Sequence, residues 1–169
     1  MNALGLGVEC SDLRRLEEAF RLAPEMVQRE MRGFMTEATA HLQSEVVRYT
    51  PKTHGTLRGS IIGNVTALAD GIGVQGVVGS ALNYAVAVEL GTRPHMPPVE
   101  PLIDWVRQKF GLSGKEAVSA AWRVARGIAR HGTPAAGMFH FAWRDNKSQV
   151  AEKFAATVRR IASLIGAAS

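Results

Sequence analysis

The chain has 169 residues, 46% of them apolar and 21% charged, the balance of an ordinary soluble fold with room for one compact domain. Twenty Lys and Arg against 15 Asp and Glu give a formal charge of +5 and a pI near 9.9, which admits an acidic partner such as nucleic acid, although no block of five or six like charges occurs. No apolar run approaches the ~20 residues of a membrane span, the opening MNALGLGVEC lacks a secretory pattern, and the lone Cys10 excludes an internal disulfide, so the expectation is a cytoplasmic product with an inert thiol.

In chain order, Ser11 or Asp12 is placed to cap a short helix, SDLRRLEEAFRL, with Leu13, Leu16 and Phe20 on its apolar face. Pro24 suits the first turn of a longer helix. Val27, Met31, Phe34, Met35, Ala38, Leu42 and Val46 then recur at helical spacing to about Arg48, a rod roughly 35 Å long. Gly33 weakens that helix, and Glu45 falls near the middle of its apolar face without an evident reason. TPKTHGTLRGS reads as a helix-to-strand turn, Pro51 ending the helix and Gly55 and Gly59 supplying unusual φ values. SIIGNVTA and GVQGVVGS read as strands, with Asp70-Gly71 as the hairpin signal between them. Two strands alone are marginal, so the long helix, further strands or a neighbouring subunit must cover them.

NYAVAVELGT fits both strand alternation and helical spacing; the preferred reading is a short helix with Gly91 as its left-handed stop. After the Pro-rich corner RPHMPPVEP, LIDWVRQKFG reads as a helix with Leu102, Ile103, Val106 and Phe110 inward. Ser113 and Glu116 form a capping box for a helix running to about Arg130 and stopped by Gly132. Thr133-Pro134 breaks the chain and AGMFHFAW resumes an apolar run. The last helix spans about Asp145 to Ile165, with Val150, Phe154, Val158, Ile161 and Ile165 along one face. The fold class is therefore α+β: a small antiparallel hairpin packed with a long N-terminal helix and further C-terminal helices. Residues 1–169 form one domain, divided into N-terminal helices (1–49), the loop, hairpin and Glu-Gly-Thr element (50–92), and a helical C-terminal part (93–169).

Signals for small-molecule chemistry are weak. The stretch around Gly55 and Gly59 is no Walker loop: it has no following Lys, and the order is helix, loop, strand. Gly5 to Gly7 is a fragment of a dinucleotide fingerprint without its third glycine. His41, His54, His95, His131 and His140 show no metal-binding spacing and are expected at the surface or half buried, though His54 and His95 could meet in space. No nucleophile elbow occurs. Arg123, Arg126 and Arg130 share one helix face, either as a solvated face, the favoured reading, or as a strip for phosphates or an acidic partner. No aromatic residues interleave with it as a single-strand platform requires, and Trp122, about 100° round the helix, is expected to pack inward.

Two segments together resemble the gene-ten-product family of HK-type lambdoid phages. TPKTHGTLRGSI resembles the family's Thr-Pro-x-x-x-Gly-x-Leu-Arg-x-Ser-Ile motif, matched by Thr50, Pro51, Gly55, Leu57, Arg58 and Ser60. NYAVAVELGTRPHMPP resembles its Tyr-Ala-x-x-x-Glu-x-Gly-Thr element and Met-Pro-Pro continuation, matched by Tyr84, Ala85, Glu89, Gly91 and Thr92. LIDWVRQKFG, ARGIARHGTPAAGMF and the final helix follow in the family's order, so the likeness covers almost the whole chain. The acidic residue usual before the loop glycine is replaced by Lys-Thr-His, and the usual Pro-Phe near the last helix by Ala-Ala-Gly-Met-Phe.

The resemblance implies a non-enzymatic virion protein without cofactor or metal. It would complete the neck or tail of a long-tailed phage as part of a ring, expected to be a homohexamer, around the DNA channel. The implied partners are further copies of itself and head-closure, tail-terminator or tail-tube proteins, with non-specific DNA contact in the channel and no membrane. The implied location is the virion, with the host cytoplasm during assembly. Alternatives are a nucleic-acid-binding module, a tail-terminator ring and a small hydrolase using loop histidines. Since a buried charge needs a partner, Arg58 is expected to pin the special loop beneath the hairpin by pairing with Glu89.

Overall fold

The computed structural model describes residues 23–52, 55–68 and 73–168, together with helical positions 13–14, 17–19 and 21. The glycines Gly5 and Gly7, Cys10, the caps at Ser11 and Asp12, the face residues Leu16 and Phe20, His54 and the Asp70-Gly71 turn lie outside the described residues. The elements are α1 (Pro24–Tyr49), α2 (Gly55–Ser60), β1 (Ile61–Ala67), β2 (Val74–Ser80), α3 (Ala85–Leu90), α4 (Val99–Phe110), α5 (Gly114–His131) and α6 (Met138–Ala168), an α+β arrangement dominated by helices.

Pro24 opens α1, where its missing N–H is not needed. The helix closes at Thr50, whose buried hydroxyl donates to the Val46 carbonyl at 2.7 Å and lies 3.3 Å from Met138 Sδ. Its apolar stripe packs against α6 in antiparallel order. Val27 shares a buried cluster with Ile161. Phe34 meets Phe154 edge-on, with ring centroids 5.5 Å apart, and Ala38 shares that cluster with Val150. Val46 meets Ala142 and Met138 in a third cluster.

The place of Glu45 on this face has a physical reason. On the same interface the buried Asn146 donates through Nδ2 to Glu45 at 3.3 Å and to the Ala142 carbonyl at 2.9 Å. That orientation turns its amide oxygen toward His41 Nε2, 2.8 Å away, and an amide oxygen only accepts, so His41 Nε2 carries the proton. Arg48 completes the set from the next turn of α1 and holds the Glu45 carboxyl below its usual range.

TPKTHGTLRGS reads as a turn in the sequence, yet Gly55–Ser60 forms the short helix α2. Gly55 and Gly59 are not among the positive-φ glycines, so unusual φ values do not explain them. Leu57, fully buried, is what that turn delivers to the core. Burial of a leucine side chain stabilises by about 2–3 kcal/mol. The hairpin is antiparallel with Ile61 opposite Ser80 and Ala67 opposite Val74, and one face lies across α1. Gly63 and Gly76 allow that approach: a Cβ at Gly76 would stand 2.2 Å from Thr39 Oγ1.

The segment Ala85–Leu90 is helical, as preferred. Gly91 ends it with φ 71° and ψ −178°, a conformation close to glycine-only rather than the left-handed helical stop. The helices α4 and α5 pack on each other around Val106, Ala117, Ala120 and Ala121, a cluster of their own. Of the predicted inward set on α4, Val106 is buried and Leu102 and Ile103 are partly buried. Phe110 is instead 56% exposed, because it sits at the last position of the helix, edge-on to Trp105 and beneath the Lys109 ammonium. Trp122 is likewise exposed, since the alanine face of α5 makes the contact with α4. Ser113 is the N-cap of α5 but makes no side-chain capping hydrogen bond, so the capping box is not formed. The last helix starts at Met138, seven residues before the predicted Asp145, because the apolar run AGMFHFAW supplies its first turns.

Candidate functional site

The two family-like motifs converge on one place. Leu57 and Ile61 from the first, and Ala85 from the second, share a buried cluster with Val46, Met138 and Ala142. Ser60 ties α2 to the hairpin, its hydroxyl accepting from or donating to Ser80 Oγ at 2.7 Å and reaching the Leu57 carbonyl at 2.8 Å.

Glu89 does not pair with Arg58. Its carboxylate accepts the backbone N–H groups of Phe139 at 2.9 Å and His140 at 3.0 Å, the free donors of the first turn of α6. Just before it, Ala136 and Gly137 donate their N–H groups to the Val88 and Glu89 carbonyls at 2.8 and 3.1 Å. The end of α3 and the start of α6 therefore satisfy one another, with the negative carboxylate at the positive end of the longer helix. Arg58 is half buried and makes no ion pair among the described residues. The expected pairing does not form because Glu89 has a nearer set of donors, invisible without the tertiary fold.

Thr92 and Thr133 form an isolated antiparallel bridge, exchanging backbone hydrogen bonds at 3.0 and 3.2 Å, with their hydroxyls 2.9 Å apart. Gly91 and Gly132 flank it, each with positive φ; a Cβ at Gly132 would lie 1.9 Å from the Thr92 carbonyl oxygen. Gly91 and Thr92 of the second motif thus serve a backbone junction. Pro51 follows the end of α1, and Tyr84 precedes α3 at the surface.

Between β2, α1, α3 and α6 lies an open groove of about 860 Å³, with Phe34, Met35 and Leu42 on its floor and Trp143 and Phe154 on the α6 wall. Its lining is predominantly apolar, and Leu90, 72% exposed, stands at its rim. Val86 is 65% exposed on the same face of α3, one turn before Leu90. On the outer face of the hairpin Ile62 and Val77 are diagonal neighbours and both exposed. Large apolar side chains are thus left uncovered on α3 and on the outer face of the hairpin.

The other candidates do not assemble into chemistry. Arg123, Arg126 and Arg130 are all exposed; Arg123 donates to Ser119, and Arg126 donates to its own helix at the Trp122 carbonyl. His95 hydrogen-bonds the Arg93 carbonyl at 2.9 Å, and His131 and His140 are exposed. Among the described residues no three His, Cys, Asp or Glu side chains gather to hold a metal, and no helix is long and apolar enough to cross a membrane. A polar pair that sequence reasoning missed is Tyr49, which donates to Asp145. Arg144 on its other side and that phenol together hold the Asp145 carboxyl below its ordinary value.

Comparison with protein-family models, curated proteins and solved structures found no match to this chain.

Proposed function

We propose that the chain is a structural subunit of a tailed-phage virion, completing the neck or tail as one member of a sixfold ring around the DNA channel. The observation that carries the reading is the use made of the two motifs. Leu57, Ser60, Ala85, Glu89, Gly91 and Thr92 all serve packing, capping or backbone junctions, which suits motifs kept for scaffold rather than for chemistry. The apolar groove and the exposed faces of α3 and the hairpin support association with further copies and with other virion proteins. In this reading the protein performs no catalysis, needs no cofactor, and passes from the host cytoplasm into the particle.

The test is deletion of the gene from its phage or prophage, induction, and negative-stain imaging of the lysate. Filled heads lying apart from finished tails are the expected result. Tails of abnormal length would move the protein to tail termination, and normal infectious particles would refute the reading.

A second reading is supported by α5, where Arg123, Arg126 and Arg130 are exposed and carry no carboxylate partner among the described residues. In it the stripe contacts duplex phosphates. Affinity for random-sequence duplex should then fall steeply with salt, with a slope of about −0.9 per neutralised phosphate. Absence of binding at low salt removes it.

A further inference from the structure

Most of the net charge of the chain sits in one part of it. Residues 93–132 hold seven Lys and Arg against three Asp and Glu, while the remainder holds thirteen against twelve. The three carboxylates come early. Glu100 and Asp104 are on α4, where Asp104 pairs with Arg107 at 3.2 Å, and Glu116 is in the first turn of α5. From Ala117 to Gly132 no acidic residue occurs.

Helix α5 has two opposed faces. Ala117, Ala120 and Ala121 are buried in the cluster shared with Val106 of α4. On the other side Lys115, Ser119, Trp122 and Arg126 follow at intervals of four, three and four residues, all exposed, with Arg123 and Arg130 beside them. Four cations thus run along roughly 22 Å of helix surface. None of them pairs with a carboxylate among the described residues.

Trp122 stands inside that row. It lies about 100° round the helix from Arg123, yet one turn after Ser119 and one turn before Arg126. The residue is 45% exposed. Elsewhere a cation covers the exposed aromatic faces: Lys109 lies 4.6 Å from the Trp105 ring, Arg48 4.4 Å from Tyr49 and Arg144 4.7 Å from Phe141. The Trp122 ring has no such cation and no aromatic neighbour among the described residues. The sequence shows no aromatic side chain among these arginines only because Trp122 reads as a core residue; the fold supplies one.

The ligand that fits this face is a uniform polyanion with flat, open rings. A protein surface mixes both signs of charge, and a row of one sign gives it no match. A lipid surface takes up an apolar helix face, and that face of α5 is packed on α4. In a duplex the bases stack on one another and are closed to an indole, whereas in a single strand their faces are free.

We propose that the outer face of α5 binds single-stranded nucleic acid, with phosphates held by Lys115, Arg123, Arg126 and Arg130 and one base stacked on Trp122. This rests on the second reading above, in which the stripe takes phosphates, and narrows its ligand from a duplex to an unpaired strand. The guanidinium forks hold phosphate oxygens in pairs and so align the strand with the helix. Every base has a flat face, so binding is indifferent to sequence.

The test uses the full chain and a labelled oligothymidylate of about a dozen nucleotides, with a duplex of equal length and polyglutamate as comparisons. Affinity is read by fluorescence anisotropy across a salt series, and stacking by quenching of tryptophan emission. The single strand should bind more tightly than the duplex and quench the emission. Its log–log salt slope should be about −3, from about −0.7 for each of the four phosphates. Trp122→Ala should weaken single-strand binding by about 5- to 150-fold. Trp122→Phe should keep most of the affinity and lose the quenching. Arg126→Gln should flatten the slope by about 0.7. A single strand bound no more tightly than the duplex, or an affinity that Trp122→Ala leaves unchanged, overturns the inference while the phosphate contact of the second reading stands. Equal affinity for polyglutamate overturns nucleic acid as the partner. Absence of binding to either nucleic acid at low salt overturns the inference and the second reading together.

Discussion

Replacing Glu89 tests the junction at the centre of the fold. Its carboxylate accepts two backbone N–H groups, at 2.9 and 3.0 Å, from the first turn of the 31-residue helix α6. Glu89→Gln keeps one oxygen acceptor, turns an NH₂ group toward the second donor and removes the charge from the helix N-terminus. A charge-assisted hydrogen bond contributes about 1.5–3 kcal/mol, and a favourable charge at a helix end about 0.3–1 kcal/mol. One such bond lost with the charge, partly offset by water at the half-exposed site, gives about 2 kcal/mol. For a chain of this size that corresponds to a fall in Tm of about 4–8 °C. Urea denaturation followed by circular dichroism should show a lower midpoint at unchanged slope. A loss below about 0.5 kcal/mol would mean that the carboxylate contributes nothing beyond its neighbours' packing, and the argument would fail.

Arg58→Ala combined with Glu89→Gln should be additive within about 0.5 kcal/mol in a double-mutant cycle, since the two side chains do not pair. Gly132→Ala should destabilise by more than about 2 kcal/mol in the same urea assay, because positive φ and a Cβ 1.9 Å from the Thr92 oxygen act together. Gly33→Ala should raise stability by about 0.5–1 kcal/mol, as the position is exposed and helical and an added methyl would meet nothing within 4 Å. Glu45 and Asp145 have folded pKa values below their ordinary 4.5 and 3.8, so they stabilise the fold above those values and lose that contribution as the pH falls through the lower folded ones. Thermal melts should therefore decline below about pH 4, and less steeply in Glu45→Gln with Asp145→Asn.

The elements that sequence periodicity locates are those with one long apolar face. Val27, Phe34, Ala38 and Val46 of the first stripe and Val150, Phe154, Val158 and Ile161 of its partner are buried as spaced, while Met31, Met35 and Leu42 are half buried. The strands are legible because β-branched runs flank a turn signal. What stays hidden is whatever depends on a partner far along the chain. Glu45 looks misplaced in the sequence because Asn146, about a hundred residues away, is not in view. Shared membership of motifs pairs Glu89 with Arg58, while its true donors are main-chain groups that carry no sequence signature at all. Helical angle points Phe110 and Trp122 inward, but alanines already fill the α4–α5 contact, leaving no room for a second large layer. The groove is hidden for a similar reason: Phe34, Met35, Leu42 and Phe154 read as core residues, and only the position of β2 shows that part of this surface is left open.

The Thr92–Thr133 bridge also bears on how the chain tolerates change. The chain leaves the main body and returns to it at two neighbouring points, and the helices between them fill their own interior. Residues 93–132 are thus an excursion whose removal need not disturb the path of what precedes or follows. A short tight turn joining Thr92 to Thr133 would leave α1, the hairpin and α6 with their connections unbroken. The molecule is in this sense a fixed chassis with an exchangeable arm, and the length and surface of that arm can change while the Glu89 junction stays the same.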